Sequence, residues 1–524
     1  MSSTGTIVLT ECSAAMLAGM IARRETSSVA VVEAHIERIE RVNADLNAVI
    51  WKRYAEAREE ARLADEAVER GGSLGPLHGV PITIKEAFAL SGSPATYGLQ
   101  SRSTIRATED DIYVSRLRAA GAIILGKTNV SQLLLYVESD NPVYGRTSNP
   151  WNRGRTPGGS SGGQAAIIAA GGSPLGLASD IGGSIRVPAT FCGLVGMKAT
   201  AGRIPDPTAF GVSLGQRAIV SQAGVLARTV TDVELGTLVL CGGDKPDAPA
   251  SRPLGDPASV DVSKLRVAYY TEDGTLEAAP AVQRAVTEAA GVLAGKGAQV
   301  ALWHPPAVPE AADLFFGILS ADGAQGAGKL LAGNKVDPRL AQLVRLAGLP
   351  RPVLGALEAP LRLLGQRSAA ALIHNFGYRD TFHYWQLLEA QDAYQGSFAK
   401  ALDTDEGGPF DLIVCPACAL PAFPHGGSKD LVVAGGYAIL YNVLGYPAGV
   451  VPATRVRPGE ESRRKRSWDG MERAARGAEQ GSAGLPVGVQ IVARPWCEHV
   501  AFAAMRAIQD SLSTHPDFPR TPVA

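Results

Sequence analysis

The chain is 524 residues long, with a formal net charge of −1 at pH 7, 46% hydrophobic residues and 19% charged residues. This composition allows a large buried core and excludes a mainly disordered chain. A charge balance this close to neutral gives no support for a nucleic-acid-binding surface, and we expect no nucleic-acid partner.

The composition also limits metal chemistry and membrane topology. Six cysteines are too sparse for a disulfide scaffold, and their spacing completes no zinc set, so we expect no metal site. No apolar run approaches the ~20 residues that span a bilayer. The first residues lack the charged and apolar regions of a signal peptide. We therefore expect a cytoplasmic protein.

The first 75 residues are predicted to be helical. Apolar side chains at helical spacing follow Ser28, which is a suitable N-cap, and a charged, alanine-rich pattern covers residues 54–70. The alternating pattern of residues 80–84 then predicts a strand, which ends at Lys85.

Helices and strands alternate through the rest of the chain. Thr231 and Glu234 form a capping-box pattern before an apolar run. The other predicted elements are helices at 111–120, 164–170 and 281–294, strands at 122–125, 265–270, 299–303 and 484–492, and a final helix. This alternation favours an α/β sheet covered by helices.

Two glycine-rich segments carry the serines of greatest interest. The segment Gly-Gly-Ser-Ser-Gly-Gly at 158–163 contains Ser160, and Ser-Asp-Ile-Gly-Gly-Ser-Ile-Arg at 179–186 contains Ser184. A serine becomes a nucleophile when a base lies beside it, and glycine amides can stabilise an oxyanion. A buried lysine can be neutral and act as that base. Lys85, at the end of an apolar strand, is therefore a candidate base for acyl transfer.

These two segments, together with Gly-Val-Pro-Ile-Thr-Ile-Lys-Glu at 79–86, resemble the amidase signature family of serine hydrolases. The resemblance implies an α/β fold, in which a central twisted mixed sheet is covered on both faces by helices. It also implies that Lys85 is the base, Ser160 a relay on a cis peptide bond and Ser184 the nucleophile. No cofactor is implied.

The residues around Ser184 have predicted supporting roles. The resemblance assigns the oxyanion hole to the backbone amides of Ile181, Gly182, Gly183 and Ser184. Asp180 and Arg186 flank the loop with opposite charges, and we interpret them as side chains that fix it. Ser161 is expected to hydrogen-bond within the pair of Lys85 and Ser160.

Two other segments match known sequence motifs but lack the structural context that those motifs need. Residues 121–128 fit the P-loop pattern, but the residues that should cradle a phosphate form an apolar strand, which argues against ATP binding. Residues 158–162 fit the nucleophile-elbow pattern, but a loop precedes them instead of a strand. His425 is the best candidate for a serine–histidine–acid triad, an alternative that we disfavour.

Longer segments resemble the fatty acid amide hydrolase branch of the family, from about residue 75 to the C-terminus. They include residues 172–186, 440–452 and 484–496. The resemblance implies hydrolysis of N-acyl amides with hydrophobic acyl chains through an acyl-enzyme, to a carboxylic acid and an amine or ammonia, with esters as further substrates. By this analogy the acyl-pocket residues are Leu134, Leu135, Tyr136, Phe376, Ile439 and Trp496.

We expect a single amidase domain over residues 1–524. Its predicted parts are N-terminal helices at 1–75, the catalytic core at 76–245, a helical cap at 310–400, and the remaining sheet with the final helix at 405–524. Within the cap, residues 337–367 combine leucine stripes with arginines on two predicted helices. Interfacial helices have this pattern, and so do helices packed on a core, so peripheral membrane contact stays open. A homodimer stays open as well.

Three alternative functions remain at this point. The first is a short-chain or aryl acylamidase with the same three catalytic residues. The second is a glutamine-hydrolysing component of the amidotransferase A type, which would need partner subunits. The third is a non-catalytic binding protein.

Overall fold

The computed structural model describes residues 7–204, 215–242 and 252–523. The predicted parts 1–75, 76–245 and 405–524 extend partly outside these described residues. The described residues form an eleven-stranded sheet and a two-stranded hairpin. The strands are β1 Val49–Lys52, β2 Pro81–Lys85, β3 Ile123–Thr128, β4 Asp140–Asn141, β5 Gly145–Arg146, β6 Leu175–Asp180, β7 Val195–Lys198, β8 Gln222–Ala227, β9 Arg266–Tyr269, β10 Gln299–Leu302, β11 Leu412–Pro416, β12 Ala448–Arg455 and β13 Pro486–Ala493.

The large sheet is mixed. Its strand order is β1-β3-β2-β6-β8-β7-β12-β13-β11-β9-β10, and β4 pairs with β5 in the hairpin. Strand β2 runs parallel to β3 and β6, and β9 runs parallel to β10 and β11. The remaining neighbours in this sheet are antiparallel. The predicted mixed α/β sheet is confirmed.

Helices flank this sheet. They are α1 Ala14–Ala22, α2 Ser28–Leu46, α3 Tyr54–Glu69, α4 Ile112–Ala119, α5 Gly162–Ala169, α6 Arg186–Cys192, α7 Val230–Leu240, α8 Pro280–Gly295, α9 Val308–Leu319, α10 Gln325–Leu331, α11 Pro338–Ala347, α12 Arg351–Leu363, α13 Arg367–Asn375, α14 Thr381–Asp403, α15 Gly436–Val443, α16 Gly470–Glu479 and α17 Glu498–Leu512. None of the helices in the described part of the chain has both the length and the apolar character of a membrane span.

Two predicted helix caps are wrong by one or two residues. Helix α2 is capped by Ser27, whose hydroxyl accepts from the amide of Ala30 at 3.0 Å. Helix α7 is capped by Thr229, whose hydroxyl accepts from the amide of Asp232 at 3.1 Å. A cap residue needs extended backbone angles, and Ser27 and Thr229 have them. Ser28 itself is already inside the first turn.

The two faces of the sheet bury different core clusters. In β6, Leu175 and Leu177 contribute to the core that also contains side chains of α7, α8 and α17, whereas Ala178 contributes to the core under α2 and α5. Successive strand side chains point to opposite faces, so a strand buried on both faces is apolar along its length. This explains why the central strands lack the alternation of a half-exposed sheet.

Residues 123–128 of the P-loop-like segment form β3, and every one of them is buried. They lie inside the sheet, which agrees with the rejection of a nucleotide site there. The segment predicted as a helical cap contains α10 through α13 and most of α9 and α14. Helix α11 ends at Ala347, and α12 begins directly after Pro350, as the prolines predict.

Candidate active site

The candidate site lies where two neighbouring parallel strands end. Strand β2 pairs with β6 through Thr83 and Ile84, opposite Gly176 and Leu177. The carboxyl ends of parallel neighbours meet at one edge of the sheet, and ligands of α/β sheets bind outside that edge. Lys85 is the last residue of β2. The loop that carries Ser184 leaves the end of β6 beside it.

Lys85 is fully buried, and its amine contacts two serines. Its Nζ atom donates to Ser160 Oγ at 2.8 Å, to Ser179 Oγ at 2.9 Å and to the Ser179 carbonyl at 3.3 Å. Burial lowers the pKa of Lys85 to about 7, against the opposing effect of the Asp180 charge. A large share of the molecules therefore carry a neutral amine at neutral pH, and a neutral amine can accept the Ser160 proton.

The turn that contains Ser160 is held by the segment before it. The Gly159–Ser160 peptide bond is cis. The Ser139 hydroxyl donates to the Ser160 carbonyl at 3.2 Å and accepts from the Gly162 amide at 2.7 Å. Gly159 lies so close to the neighbouring backbone that a Cβ atom there would be 2.5 Å from the Glu138 nitrogen. Only glycine fits this approach.

Asp180 organises the loop that carries Ser184. Its carboxylate accepts from the amides of Gly183 at 2.8 Å and Ile185 at 3.1 Å, and it pairs with Arg186 at 2.9 Å. Burial alone would raise the pKa of Asp180, but the Arg186 charge and these hydrogen bonds outweigh it and lower the pKa. The carboxylate therefore stays ionised. Gly183 has a φ of 105°, which favours glycine.

Arg186 ties the same loop to the far side of the core. Its guanidinium donates to the Ala438 carbonyl at 2.8 Å, to Gln490 Oε1 at 2.7 Å and to Asn442 Oδ1 at 2.6 Å. Asp180 and Arg186 are both fully buried. Both side chains therefore contribute to the hydrogen bonds and the ion pair that hold the loop carrying Ser184, as the sequence analysis expected.

One of the four amides predicted for the oxyanion hole has another acceptor in the structure. The Gly183 amide already donates to Asp180, so its hydrogen points at the carboxylate. The amides of Ile181, Gly182 and Ser184 remain as candidate donors. Ile181, Gly182 and Ser184 line the cavity described below, whereas Gly183 is not among its lining residues.

Ser161 and Ser179 complete the surroundings of Lys85. The Ser161 hydroxyl donates at 3.3 Å to the Ser179 carbonyl, which also accepts from Lys85. The sequence analysis assigned no role to Ser179. Its position directly before Asp180, at the end of the strand that pairs with β2, could have indicated the contact.

A low lysine pKa does not by itself identify the base. Burial also lowers the pKa of Lys198 to about 7, but Lys198 Nζ donates to the Tyr446 carbonyl at 2.6 Å. Lys85 differs because it contacts serine hydroxyls. His425, the candidate of the rejected histidine triad, hydrogen-bonds the Arg153 carbonyl at 3.0 Å.

A cavity of about 290 Å³ opens beside Ser184. Five of the six predicted acyl-pocket residues line it: Leu134, Leu135, Tyr136, Phe376 and Ile439. The sixth, Trp496, is not among the residues that line the cavity. Its indole instead packs against the guanidinium groups of Arg203 and Arg252, whose central carbons lie 4.9 and 5.4 Å from the ring centre. The structure therefore corrects the assignment of Trp496.

Helix α9 supplies a wall that the sequence analysis missed. Phe315 and Phe316 line the cavity, and the Phe316 ring stacks on Phe376 with centroids 5.2 Å apart. A Cβ atom on Gly182 would lie 2.9 Å from the Phe315 ring. Phe315 therefore touches the loop that carries Ser184, although more than 130 residues separate Phe315 from Gly182 along the chain.

The fold and this site define a class of enzyme. The sequence profile of the family described as Amidase matches residues 30–501, and the chain belongs to that family. The protein is an amide C–N hydrolase.

Two relatives and one solved structure are similar to this chain over most of its length. Fatty-acid amide hydrolase 1 of Sus scrofa is 34% identical over 497 residues, which cover 93% of this chain and 83% of that protein. A glutamyl-tRNA(Gln) amidotransferase component from Roseiflexus sp. (strain RS-1) is 29% identical over 96% of both chains. A solved structure of fatty acid amide hydrolase has a TM-score of 0.82 and 26% identity, covering 97% of this chain and 86% of that one.

Proposed function

We propose that this protein is a serine amidohydrolase in which Ser184 is the nucleophile, Ser160 the relay and Lys85 the base. The contact that carries the proposal is the 2.8 Å distance between Lys85 Nζ and Ser160 Oγ, at the edge of the sheet where the Ser184 loop begins. Neutral Lys85 accepts the Ser160 proton. Ser160 accepts the Ser184 proton while Ser184 Oγ attacks the amide carbonyl carbon.

The second half of the reaction reverses these proton transfers. The tetrahedral intermediate collapses, the C–N bond breaks, and the proton returns through Ser160 to the leaving amine. Water then attacks the acyl-enzyme and releases the carboxylic acid. The amides of Ile181, Gly182 and Ser184 are the candidate oxyanion donors, and one such donor is typically worth ~2.7–4 kcal/mol in the transition state.

The cavity supports a hydrophobic acyl group as the preferred substrate. The cavity has a volume of about 290 Å³ and is bounded by Ser184 and by leucine, phenylalanine and valine side chains. Burying one methylene contributes about 0.8 kcal/mol, which is roughly a fourfold gain per methylene in kcat/KM while the chain still finds wall to contact. The carboxyl product would therefore be a fatty or similarly apolar acid.

A series of acyl p-nitroanilides from acetyl to dodecanoyl tests this substrate class. We expect kcat/KM to rise with chain length until the cavity is full. A maximum at acetyl would replace the fatty-amide proposal with a short-chain or aryl acylamidase, while leaving the three catalytic residues in place. Ser184→Ala is the control for contaminating hydrolases, because it removes only the nucleophile.

The glutamine-hydrolysing alternative predicts a more polar lining of the substrate site. A site for glutamine needs polar partners for an amino acid head group, whereas the wall beside Ser184 is mainly apolar. The 29% identity to an amidotransferase component keeps this alternative testable. Release of ammonia from glutamine, together with co-purifying partner subunits, would favour it over the acyl amide proposal.

Membrane contact is proposed for the end of α12 instead of the whole segment 337–367. Leu340 and Ala347 of α11 are buried, so that apolar stripe packs on the protein. By contrast, Leu363 and Leu364 are 88% and 71% exposed, and Trp468 is 85% exposed. Trp468 lies beside Gly365, the residue after Leu364, since a Cβ atom on Gly365 would lie 3.9 Å from the Trp468 Cβ. Exposed leucine and tryptophan side chains are typical of interfacial contact.

Co-sedimentation with vesicles tests the membrane proposal. We expect the protein to bind vesicles of phosphatidylcholine with phosphatidylserine, and the double variant Leu363→Ser and Leu364→Ser to bind several-fold less at equal thermal stability. Equal binding of the two proteins would contradict it. The homodimer and the cytoplasmic location stay predictions.

A further inference from the structure

Arg339, in the first turn of α11, is held by three carboxylates. Its guanidinium pairs with Glu138 at 3.1 Å, with Asp140 at 2.8 Å and with Asp337 at 2.5 Å. The side chain is only 10% exposed. The sequence analysis left open whether residues 337–367, which include this arginine, form interfacial helices or pack on the core. At Arg339 the structure favours packing, because the side chain points into the protein.

Glu138 connects this arginine to the turn of Ser160. Its side chain is 1% exposed and accepts from the Gly426 amide at 2.8 Å, the Ser428 amide at 2.9 Å and the Ser428 hydroxyl at 2.7 Å. The next residue is Ser139, whose hydroxyl holds the Ser160 carbonyl and the Gly162 amide. A displacement of Glu138 therefore reaches the Ser160 turn through directly bonded neighbours.

The other side of Arg339 faces the cavity wall. Its guanidinium carbon lies 4.8 Å from the centre of the Tyr136 ring, and Tyr136 lines the cavity. Two residues of the same helix, Leu343 and Val344, also line the cavity. Gln132 adds a second link at the start of the helix, because its Oε1 atom accepts from the Asp337 amide at 2.8 Å.

Helix α11 thus lines the cavity and, through the Arg339–Glu138 pair, contacts the segment that holds the Ser160 turn. A buried carboxylate that loses its cation is left with an uncompensated charge. We therefore expect that a loss of the ion pair with Arg339 would also disturb the hydrogen bonds that Glu138 makes. A displacement of about 1 Å of a catalytic group can cost roughly 100-fold in rate. An acyl chain that fills the cavity would contact Leu343 and Val344 and would stabilise α11 against the cavity.

We propose that Arg339 is a positioning residue, which couples the seating of α11 by the acyl chain to the alignment of Ser160. The inference rests on the proposed function, which names Ser160 as the relay. It makes kcat, and not only KM, depend on acyl length. A long acyl chain seats α11 and aligns Ser160, whereas an acetyl group does not reach this helix.

The first test compares octanoyl and acetyl p-nitroanilides in the wild type and in Arg339→Met. Methionine keeps apolar contact with Tyr136 but removes the charge and the planar donors. In the wild type we expect kcat to be about tenfold higher for octanoyl than for acetyl. In Arg339→Met this ratio should fall to within about twofold, while KM still falls with chain length because the cavity remains.

Two further variants separate positioning from general destabilisation. Arg339→Lys keeps the charge but loses the forked geometry, and it should recover part of the kcat ratio. Lys329→Met is the matched control, because it removes an exposed cation from the neighbouring helix α10 and should leave the ratio unchanged. Thermal unfolding identifies any variant that has lost its fold.

Hydrogen–deuterium exchange gives a measurement that needs no turnover. Arg339→Met should raise exchange both in α11 and in residues 157–163, whereas Lys329→Met should not. Unchanged exchange at 157–163, or a kcat ratio equal to that of the wild type, would overturn the coupling. Failure of the proposed function is seen separately, in a wild type that neither cleaves the anilides nor reacts at Ser184 with a fluorophosphonate.

Discussion

The pKa of Lys85 makes the pH dependence of the reaction a sharp test of its role. Burial lowers this pKa from 10.5 to about 7. One pKa unit corresponds to 1.36 kcal/mol, so the protein loses on the order of 5 kcal/mol of stability when this amine must be charged. At pH 7 about half of the molecules then carry a neutral base, against roughly 3 in 10,000 for an unshifted lysine.

The assay is kcat/KM for an acyl p-nitroanilide between pH 5 and pH 9. We expect a rise of about tenfold per pH unit below pH 7 and a plateau above it, because only neutral Lys85 accepts a proton. Lys85→Ala should lower the plateau by ~100- to 10,000-fold, the usual range for a general base, and should remove the acid limb. Lys198→Met is the matched control, since Lys198 is equally buried and should leave the midpoint unchanged.

The same pKa shift also makes the stability of the fold depend on pH. Between pH 7 and pH 10.5 the unfolded chain binds a proton on Lys85 that the folded protein does not, so this group adds stability as the pH rises. Lys85→Met should therefore stabilise the fold more at pH 6 than at pH 9, as measured by urea unfolding.

A pH-independent rate, or an acid limb that persists in Lys85→Ala, would refute Lys85 as the base.

Four other substitutions have defined outcomes. Ser184→Ala should abolish turnover and fluorophosphonate labelling with an unchanged melting temperature; residual labelling would move the nucleophile elsewhere. Asp180→Asn leaves the fully buried Arg186 charge uncompensated, and urea unfolding should show a loss of ~3–5 kcal/mol. Gly183→Ala places a Cβ atom 3.0 Å from Ala438 at a φ of 105°, so kcat should fall steeply. Phe315→Ala widens the cavity, so the preferred acyl chain should lengthen; a fixed optimum would contradict its place in the wall.

Local features were predictable wherever neighbouring residues in the chain decide the structure. The strand that ends at Lys85 and helices α3 and α8 lie within a residue or two of their predicted bounds, because apolar spacing and glycine act over a few residues. The glycine-rich segments around Ser160 and Ser184 were recognisable for the same reason. The caps of α2 and α7 were placed wrongly, since several adjacent residues have suitable side chains and backbone angles decide among them.

The cavity depended on contacts that no local pattern contains. Phe315 reaches the Gly182 loop, and Arg339 reaches Glu138 across about 200 residues of chain. Trp496 was assigned to the acyl pocket by resemblance, but its neighbours in the fold are arginines. Ser179 was passed over because its importance comes from the parallel pairing of two strands.

The sequence by itself determined the chemistry that this protein can offer: glycine-rich turns with serines, a lysine at a strand end, and an amidase family pattern. Only the tertiary structure decided which lysine meets a serine, since Lys85 and Lys198 are both buried with lowered pKa values. It also placed the buried guanidinium of Arg339 against Glu138 and against the Tyr136 ring of the cavity wall. The reason is physical, because burial and charge pairing depend on residues far apart in the chain.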